Sequence, residues 1–197
     1  MTLRVRTARA FTLIEVVVAL VVVLVLAAVA LPNVNGYLQQ KRVDSAVQQL
    51  TTVANAITTF RTNVGANPGR LSELSTIIIA SNAAYNTGTD DSCGGAFTNG
   101  ERNGWNGPYI NFLVDRDSGM VTAVGMARDS LTRIPNSATA GVLRINFINS
   151  VALEDAVLID QTADGSTGNA AGYVTWVLPA VNGLVTMYAS VPVNNAC

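Results

Sequence analysis

The first sixty residues of the chain carry two different hydrophobic patterns. The first is residues 16–31, VVVALVVVLVLAAVAL, which are sixteen apolar residues without interruption. With residues 11–15 added, the segment has 21 residues, and as a helix it is about 32 Å long, close to the thickness of a bilayer's hydrocarbon core. The pattern predicts a helix that can span a membrane.

The second pattern follows Pro32, where apolar residues recur every three or four positions among Gln, Thr, Asn and Ser. This spacing places one apolar stripe on one face of a helix. Gly65 and the turn at Asn67-Pro68-Gly69 end it. We therefore expect one long helix over residues 11–63, with its second half packed on a sheet. The stripe consists of Val43, Val47, Leu50, Ala54, Ile57 and Phe60.

The remainder of the chain has strand patterns. Residues 109–114 and 120–126, separated by a turn at 115–119, predict a hairpin. Further strands are expected over 142–148, 173–178 and 184–191. We also expect a short helix or turn over 71–80, a short helix over 151–159, and loops over 81–107 and 160–172. The predicted fold is α+β, a long N-terminal helix packed on a C-terminal antiparallel sheet. Its parts are an amphipathic helix at 33–63, a loop at 64–108 and a sheet region at 109–197.

Composition excludes several classes of function. The chain has 12 Lys plus Arg and 13 Asp plus Glu, a net charge of −1, and lacks the basic stripe that nucleic-acid binding needs. It has no histidine, which removes Ser-His-Asp and Cys-His nucleophile pairs and imidazole zinc sites. Glu154 and Asp155 are adjacent and would point apart on a helix, against an acid-base pair. We expect no nucleic-acid partner, no cofactor and no enzymatic activity, although an exported enzyme with an acid pair stays an alternative.

Charge at the N-terminus predicts a topology. Arg4, Arg6 and Arg9 precede the apolar run, and no comparable basic cluster follows it before Lys41 and Arg42. The positive-inside rule then places the N-terminus in the cytoplasm and the rest of the chain outside.

Two other interpretations of this segment stay open, a plain signal anchor and a secretory signal peptide cut after Ala28-Val29-Ala30. The apolar run is longer than a usual signal-peptide core, and Glu15 lies inside its start. That carboxylate could be a tolerated charge that reaches the interface.

The stretch Ala10-Phe11-Thr12-Leu13-Ile14-Glu15, followed by the valine-rich run, resembles the N-terminal signature of type IV pilins and of the pseudopilins of type II secretion. In that family a membrane peptidase cuts a basic leader on the cytoplasmic side, before a phenylalanine whose new amine is methylated. The resemblance implies a prepilin leader at 1–10, cleavage between Ala10 and Phe11, and N-methylation of Phe11. It departs at Ala10, where the family usually has glycine. Pro32 matches a family position that bends the helix.

The resemblance also implies a function. The chain would be a structural subunit that polymerises into a pilus or a secretion pseudopilus, with residues 11–32 as transmembrane and filament-core helix and 33–197 as a periplasmic or extracellular head. Phe11 and Glu15 would act in subunit assembly. The implied partners are further copies, other pilin-like subunits, the prepilin peptidase and methyltransferase, and the inner-membrane assembly platform. The alternative is a minor or tip pilin, or an anchored adhesin-like binding protein.

A weaker resemblance to major pseudopilins lies in the segment Gly104-Trp105-Asn106-Gly107-Pro108-Tyr109, which would lead into the first strand. The alternative interpretation is that Trp105 and Tyr109 are core aromatics under a turn.

The two cysteines, Cys93 and Cys197, would lie in an oxidising compartment, which favours a disulfide between them. A free terminal thiol and a bridge between subunits stay open. Asp115 and Asp117 begin an Asp-x-Asp-x-Gly sequence that could start a calcium loop, but the bidentate acid that an EF-hand requires is missing, so turn chemistry is favoured and no metal site is predicted. Asp160 and Asp164 are also expected to be turn and cap residues.

Overall fold

The computed structural model describes residues 11–78, 91–93, 95–135, 140–165, 168 and 172–194. The chain divides into two compact units, Met1–Gln39 and Gln40–Cys197. A long helix followed by antiparallel strands confirms the predicted α+β class. The helices are α1 Leu13–Val64, α2 Asn99–Gly104 and α3 Leu153–Asp164, with a 3₁₀ helix at Leu71–Leu74. The strands are β1 Val114–Asp115, β2 Gly119–Val121, β3 Met126–Ala127, β4 Thr132–Pro135, β5 Ala140–Ala152, β6 Val174–Val181 and β7 Leu184–Asn194.

The first unit contains the apolar part of α1. Side chains at 11–29 and 34–38 are exposed, although most of them are large and apolar. In the described part of the chain, α1 alone is long and apolar enough to cross a membrane. Among the described residues of this unit, nothing covers the apolar surface, and an exposed apolar surface of this size is typical of a site that contacts a membrane or another protein.

The second unit uses the amphipathic part of α1 as one wall of its core. The predicted stripe is confirmed at Val43, Leu50, Ile57 and Phe60, which are fully or almost fully buried. The opposite face carries threonines whose hydroxyls donate to carbonyls four residues earlier, for example Thr51 Oγ1 to Val47 O at 2.9 Å. Such internal hydrogen bonds satisfy polar side chains on a helix without any partner from outside it.

Helix α1 ends at Val64, one residue after the predicted end at residue 63. Gly65 follows with φ +90°, and its N–H donates to the Arg61 carbonyl at 2.8 Å. A residue in the left-handed region satisfies a terminal carbonyl of the helix, and glycine adopts that conformation without strain.

The main sheet supplies the facing wall. It has four strands in the order β4-β5-β7-β6, all antiparallel. Alternate residues of β5 and β7 are buried, among them Leu143, Ile145, Phe147, Met187 and Ala189. They form one cluster with the α1 stripe, because a strand directs every second side chain to the same face. The Tyr173 hydroxyl donates to the Leu50 carbonyl of α1 at 3.4 Å, and burial raises the pKa of Tyr173 to about 12.

A second, smaller sheet lies beside the main one, in the order β1-β2-β3. Its position is fixed by the Arg128 N–H, which donates to the Asn146 carbonyl of β5 at 2.8 Å. Gly119 begins β2 with φ +87°, and a Cβ there would lie 2.0 Å from the Ala127 carbonyl oxygen. Glycine is therefore the residue that this turn requires.

The structure corrects the predicted hairpin at 109–126. The predicted strand at 109–114 is wrong except at its end, because Tyr109 N–H donates to the Leu74 carbonyl and only Val114–Asp115 forms a strand. The predicted strand at 120–126 is also too long. Thr122 bends the chain, since its N–H and its hydroxyl both donate to the Gly125 carbonyl.

Other boundaries differ as well. The helix predicted at 151–159 is α3, which continues to Asp164 and so occupies part of the predicted loop at 160–172. The loop predicted at 81–107 contains α2, whose N-cap Thr98 and Glu101 form a capping box. Strand β4 has no counterpart among the predictions. The strands predicted at 142–148 and 184–191 lie within β5 and β7, and the one predicted at 173–178 lies within β6 except for its first residue. The hydrophobic pattern does not predict short elements such as α2 and β4, because capping and sheet pairing determine their structure more than hydrophobic periodicity does.

A buried carboxylate connects the 3₁₀ helix to the segment before β4. Asp129 is 5% exposed. Its Oδ1 accepts the Ser72 N–H at 2.7 Å, and its Oδ2 accepts the Ser72 hydroxyl at 3.0 Å. The Arg70 guanidinium lies 3.4 Å from the same Oδ2, so this acid is both paired and hydrogen-bonded.

We predict that Asp129→Ala lowers the free energy of unfolding by about 2–4 kcal/mol, because it leaves a buried N–H and an arginine without their acceptor. Asp117→Ala removes an exposed carboxylate and should change the free energy of unfolding by less than about 0.5 kcal/mol. Denaturant titration of the full chain in detergent, followed by tryptophan fluorescence, measures both. Equal effects of the two substitutions would contradict the role given to Asp129.

Candidate processing and assembly site

The start of α1 is fixed by Thr12. Its side-chain oxygen accepts the Glu15 N–H at 3.3 Å, and its carbonyl accepts the N–H groups of Glu15 and Val16 at 3.1 and 3.3 Å. Thr-x-x-Glu is the sequence of a capping box, so the sequence itself contains the signal for this helix start. The cap ends the non-helical chain at Thr12, so Phe11 lies outside the helix.

Phe11 is the predicted first residue of the processed chain. It is 80% exposed and has no regular secondary structure. Its neighbour Ala10 lies outside the described residues, so cleavage between the two stays a prediction.

Glu15 lies in the first turn of α1 and is exposed. It is the single charged residue between Phe11 and Gln40. A carboxylate in the first turn is stabilised by the positive end of the helix dipole. The same residue is four positions, about one turn, from the amine that cleavage at Phe11 would create.

Beyond Thr12, the described surface that follows Glu15 is apolar. Leu13 and Ile14 are 83% and 68% exposed, and the large apolar residues from Val16 to Val29 are at least 44% exposed. A helix that is hydrophobic all round is a buried or membrane helix. One carboxylate on such a surface is costly in lipid unless a cation meets it.

Three further predicted positions are placed as follows. Position 32 is inside α1, and the bend at Pro32 stays a prediction. Cys93 is exposed, in a loop held by Asp91, whose Oδ1 accepts the N–H groups of Cys93 and Gly95 at 2.8 and 2.7 Å. Cys197 lies outside the described residues.

Asp115 closes a turn. Its Oδ1 accepts the Ser118 N–H and the Ser118 hydroxyl, each at 2.8 Å, and the Asp117 N–H at 3.0 Å. These hydrogen bonds, that from the Ser118 backbone first, lower the pKa of the Asp115 carboxyl below its ordinary value. The turn interpretation is confirmed for this residue. Within the described ranges, no three His, Cys, Asp or Glu side chains are grouped as a metal site would require.

The other acids differ from one another. Glu154 is exposed and Asp155 is buried, so the two do not form an acid pair at one surface. Asp164 is the last residue of α3, and its Oδ2 accepts the Tyr173 N–H at 2.6 Å, so its carboxylate connects the end of α3 to the segment before β6. Asp160 was predicted to be a turn or cap residue, and this is wrong, because it is buried inside α3.

Trp105 and Tyr109 are packing residues. The Trp105 indole N–H donates to the Glu73 carbonyl at 2.9 Å, and the two rings meet edge to face at 5.7 Å. Tyr109 meets Phe60 of α1 in the same way at 5.6 Å. Edge-to-face pairs of this kind stabilise cores, so the segment joins the 3₁₀ helix to α1.

Comparison with protein families finds the prokaryotic N-terminal methylation motif at residues 5–31. Comparisons with curated proteins and with solved structures gave no match. The matched span includes Phe11, Glu15 and the apolar run. The motif implies processing by a prepilin peptidase and pilin-like assembly, and it indicates a structural subunit rather than an enzyme. The chain thus carries, at the start of a long helix followed by an antiparallel sheet domain, the signature of type IV pilins and pseudopilins.

Proposed function

We propose that the chain is a structural subunit of a helical filament, either a type IV pilus or a type II secretion pseudopilus. The observation that carries this proposal is the exposed apolar surface of α1 at residues 13–29, interrupted only by Glu15. The subunit is stored in the inner membrane with its N-terminus in the cytoplasm and its head in the periplasm. It is cut before Phe11, methylated there, and polymerised through α1.

A hydrophobic surface alone does not explain assembly. Lipid tails are as apolar as valine and leucine side chains, so a helix gains little hydrophobic free energy when it leaves lipid for a bundle. Association then depends on close packing and on polar contacts between helices. Glu15 is the single charged group that the described apolar segment offers for such a contact.

The partner of Glu15 is the Phe11 amine of a neighbouring subunit. Cleavage creates this amine at the start of the same apolar segment. Within one subunit the helix does not hold the amine beside Glu15, because Phe11 lies outside α1. A neighbour displaced along the filament brings its amine to Glu15 directly. In a low-dielectric bundle, the pair compensates for the desolvation of both charges, and loss of either group leaves the other unpaired.

This pairing also sets the register of the filament. A purely apolar helix bundle allows helices to slide, since many offsets bury similar area. A charge pair has a low energy at one offset only, as a buried polar residue does in a coiled coil. The proposed filament therefore needs both the leader cleavage and the carboxylate.

We predict that the mature protein begins at Phe11 with a methylated amine, because the leader and the Phe-Thr-Leu-Ile-Glu sequence fit the prepilin peptidase. Mass spectrometry of the N-terminal peptide measures this. Ala10→Leu should block processing, whereas Ala28→Leu, which alters only the alternative signal-peptidase site, should leave it unchanged. A mature chain that begins at Leu31 would remove the membrane helix and with it the proposed function.

We predict that Glu15→Val leaves membrane insertion and leader cleavage intact, since the segment becomes more apolar, but lowers incorporation into filaments at least about tenfold, which corresponds to about 1.4 kcal/mol. Blots of membrane fractions and yields of sheared filaments report the two steps separately. Glu15→Asp, which keeps the charge, is the matched control. Wild-type yield from Glu15→Val in cells that lack the native subunit would show that Glu15 is a tolerated charge only.

We predict a disulfide between Cys93 and Cys197 within one subunit. The loop around Cys93 is anchored by Asp91, and the structure has no free cysteine among its described residues. Closing a loop of about 105 residues stabilises the chain by roughly 4.7 kcal/mol in the chain-entropy model. Cys93→Ser, Cys197→Ser and the double variant should therefore lower the midpoint of thermal unfolding equally. Alkylation of both thiols without reductant would contradict the bridge.

A further inference from the structure

The main sheet carries positive charge and no negative charge. Its four strands contain two arginines, Arg133 in β4 and Arg144 in β5, and no aspartate or glutamate. The Nε atoms of both arginines are buried and have no hydrogen-bond partner among the described residues. Neither arginine takes part in an ion pair of the described head. A guanidinium without an acid partner is suited to bind an anion from outside the chain.

The two arginines lie on opposite faces of this sheet. Arg133 is opposite Leu143 in the pairing of β4 with β5, and Leu143 is fully buried in the core cluster that contains the α1 stripe. Arg144 comes one position later, so its side chain is on the other face, which we call the outer face. It is half-buried there. A ligand in solvent can therefore reach its guanidinium without entering the core.

Tyr188 orients the Arg144 guanidinium. The Arg144 Cζ lies 5.2 Å from the centroid of the Tyr188 ring, within the distance of a cation–π contact. Tyr188 is on β7, directly opposite Asn146 of β5, and therefore shares the outer face with Arg144, two positions earlier. An arginine that is stacked on a ring loses less conformational freedom when its planar fork binds a carboxylate.

Hydroxyl groups flank this guanidinium. Thr132 of β4 and Ser190 of β7 are directly opposite Arg144 on its two sides, so three polar side chains form a row across about 10 Å of the sheet. Thr132 Oγ1 accepts the side-chain N–H of Asn146 at 3.1 Å, which leaves its hydroxyl hydrogen for another acceptor. The hydroxyls of Ser190 and Tyr188 can each donate one hydrogen bond and accept others.

The next row of the outer face is apolar. Ile134, Val142 and Pro192 are opposite one another on β4, β5 and β7, and each is at least partly exposed. A few oriented polar groups beside apolar surface are typical of small-molecule sites. A sugar acid matches this arrangement, because it has one carboxylate, several hydroxyls and the C–H groups of its ring.

Nucleic acid matches the outer face less well. Its affinity depends on several cations that neutralise successive phosphates. Among the residues of the four strands, Arg144 is the one charged residue on the outer face. A ligand with one carboxylate among neutral hydroxyls therefore fits better than a polyphosphate.

We infer that the outer face binds a glycan that carries a sugar acid. Arg144 holds the carboxylate, and Thr132 and Ser190 hydrogen-bond to neighbouring sugar hydroxyls. This inference goes beyond the proposed filament role and does not depend on it, because the site consists of head residues within one chain.

A glycan array tests the class of ligand. The full-length chain in detergent is applied to oligosaccharides that end in glucuronic, galacturonic or sialic acid, and to the same oligosaccharides with the carboxylate reduced to an alcohol. At least one acid should bind about tenfold more tightly than its reduced counterpart, because only the acid can pair with the guanidinium. A glutamate-containing peptide and a single-stranded oligonucleotide are the other probes, and both should bind more weakly than that sugar acid.

Substitutions test the site. In calorimetric titrations with the tightest sugar acid from the array, Arg144→Gln should weaken binding at least about tenfold. Arg144→Lys should also weaken it, because lysine keeps the charge but not the planar fork. Arg133→Gln is the matched control, since it removes the same charge from the same sheet on the other face, and it should change the dissociation constant by less than about twofold. Thermal unfolding of each variant shows that it is folded.

Three results would overturn this inference. The first is an array on which no sugar acid binds more tightly than its reduced counterpart. The second is an equal loss of binding in folded Arg133→Gln and Arg144→Gln, which would indicate a general effect of charge. The third is tighter binding of the peptide or the oligonucleotide, which would assign the face to another class of partner. None of them affects the proposed function, because that is measured by filament yield.

Discussion

The apolar first half of α1 and its one carboxylate are the part of this chain that cannot be stable in water on its own. Seventeen residues from Leu13 to Val29 contain one charge and are exposed throughout, so the chain on its own cannot satisfy them. In a membrane, lipid covers the apolar side chains but leaves Glu15 without a partner. A bundle of identical processed helices, as proposed above, would cover both, because each copy would carry a new amine at Phe11 and a carboxylate four residues later.

The same helix has a second, unrelated task in the head. From Val43 onward its apolar residues form one stripe that is buried against the main sheet, and its other face is satisfied by internal hydrogen bonds of threonine. The head is therefore stabilised by ordinary hydrophobic burial and does not depend on assembly for its core. Heads that are attached to the same type of helix can therefore have different surfaces.

The long elements and the N-terminal site could be predicted from the sequence because their signals are local and repeated. The stripe from Val43 to Phe60 has a helical period over many residues, and the strands over 142–148, 173–178 and 184–191 are long enough to show their own composition. The short elements could not. Val114 and Asp115 form a strand only because β2 pairs with them. Tyr109 is not in a strand, because its N–H donates to the Leu74 carbonyl and its ring packs against Phe60.

The long-range contacts within the head could not be predicted from the sequence either. Asp129 is an ordinary loop residue in the sequence, and only the fold brings it to Ser72 and Arg70, 57 to 59 positions away. The Thr12 cap is different, because it joins residues only three positions apart and the sequence Thr-x-x-Glu is enough to predict it. The exposure of Leu113 and Leu178 could not be predicted from the sequence either. Nearly half of the chain is apolar, and whether one leucine is covered depends on which segments fold over it.

Helical reconstruction by electron microscopy of filaments sheared from wild-type cells tests the central claim most directly. The account predicts a core of parallel α1 helices, in which each Glu15 carboxylate lies within about 3 Å of the methylated Phe11 amine of a neighbouring subunit. Filaments of this chain in which Glu15 faces no amine, or a chain that stays in the inner membrane as a monomer while the cells make filaments without it, would contradict the account.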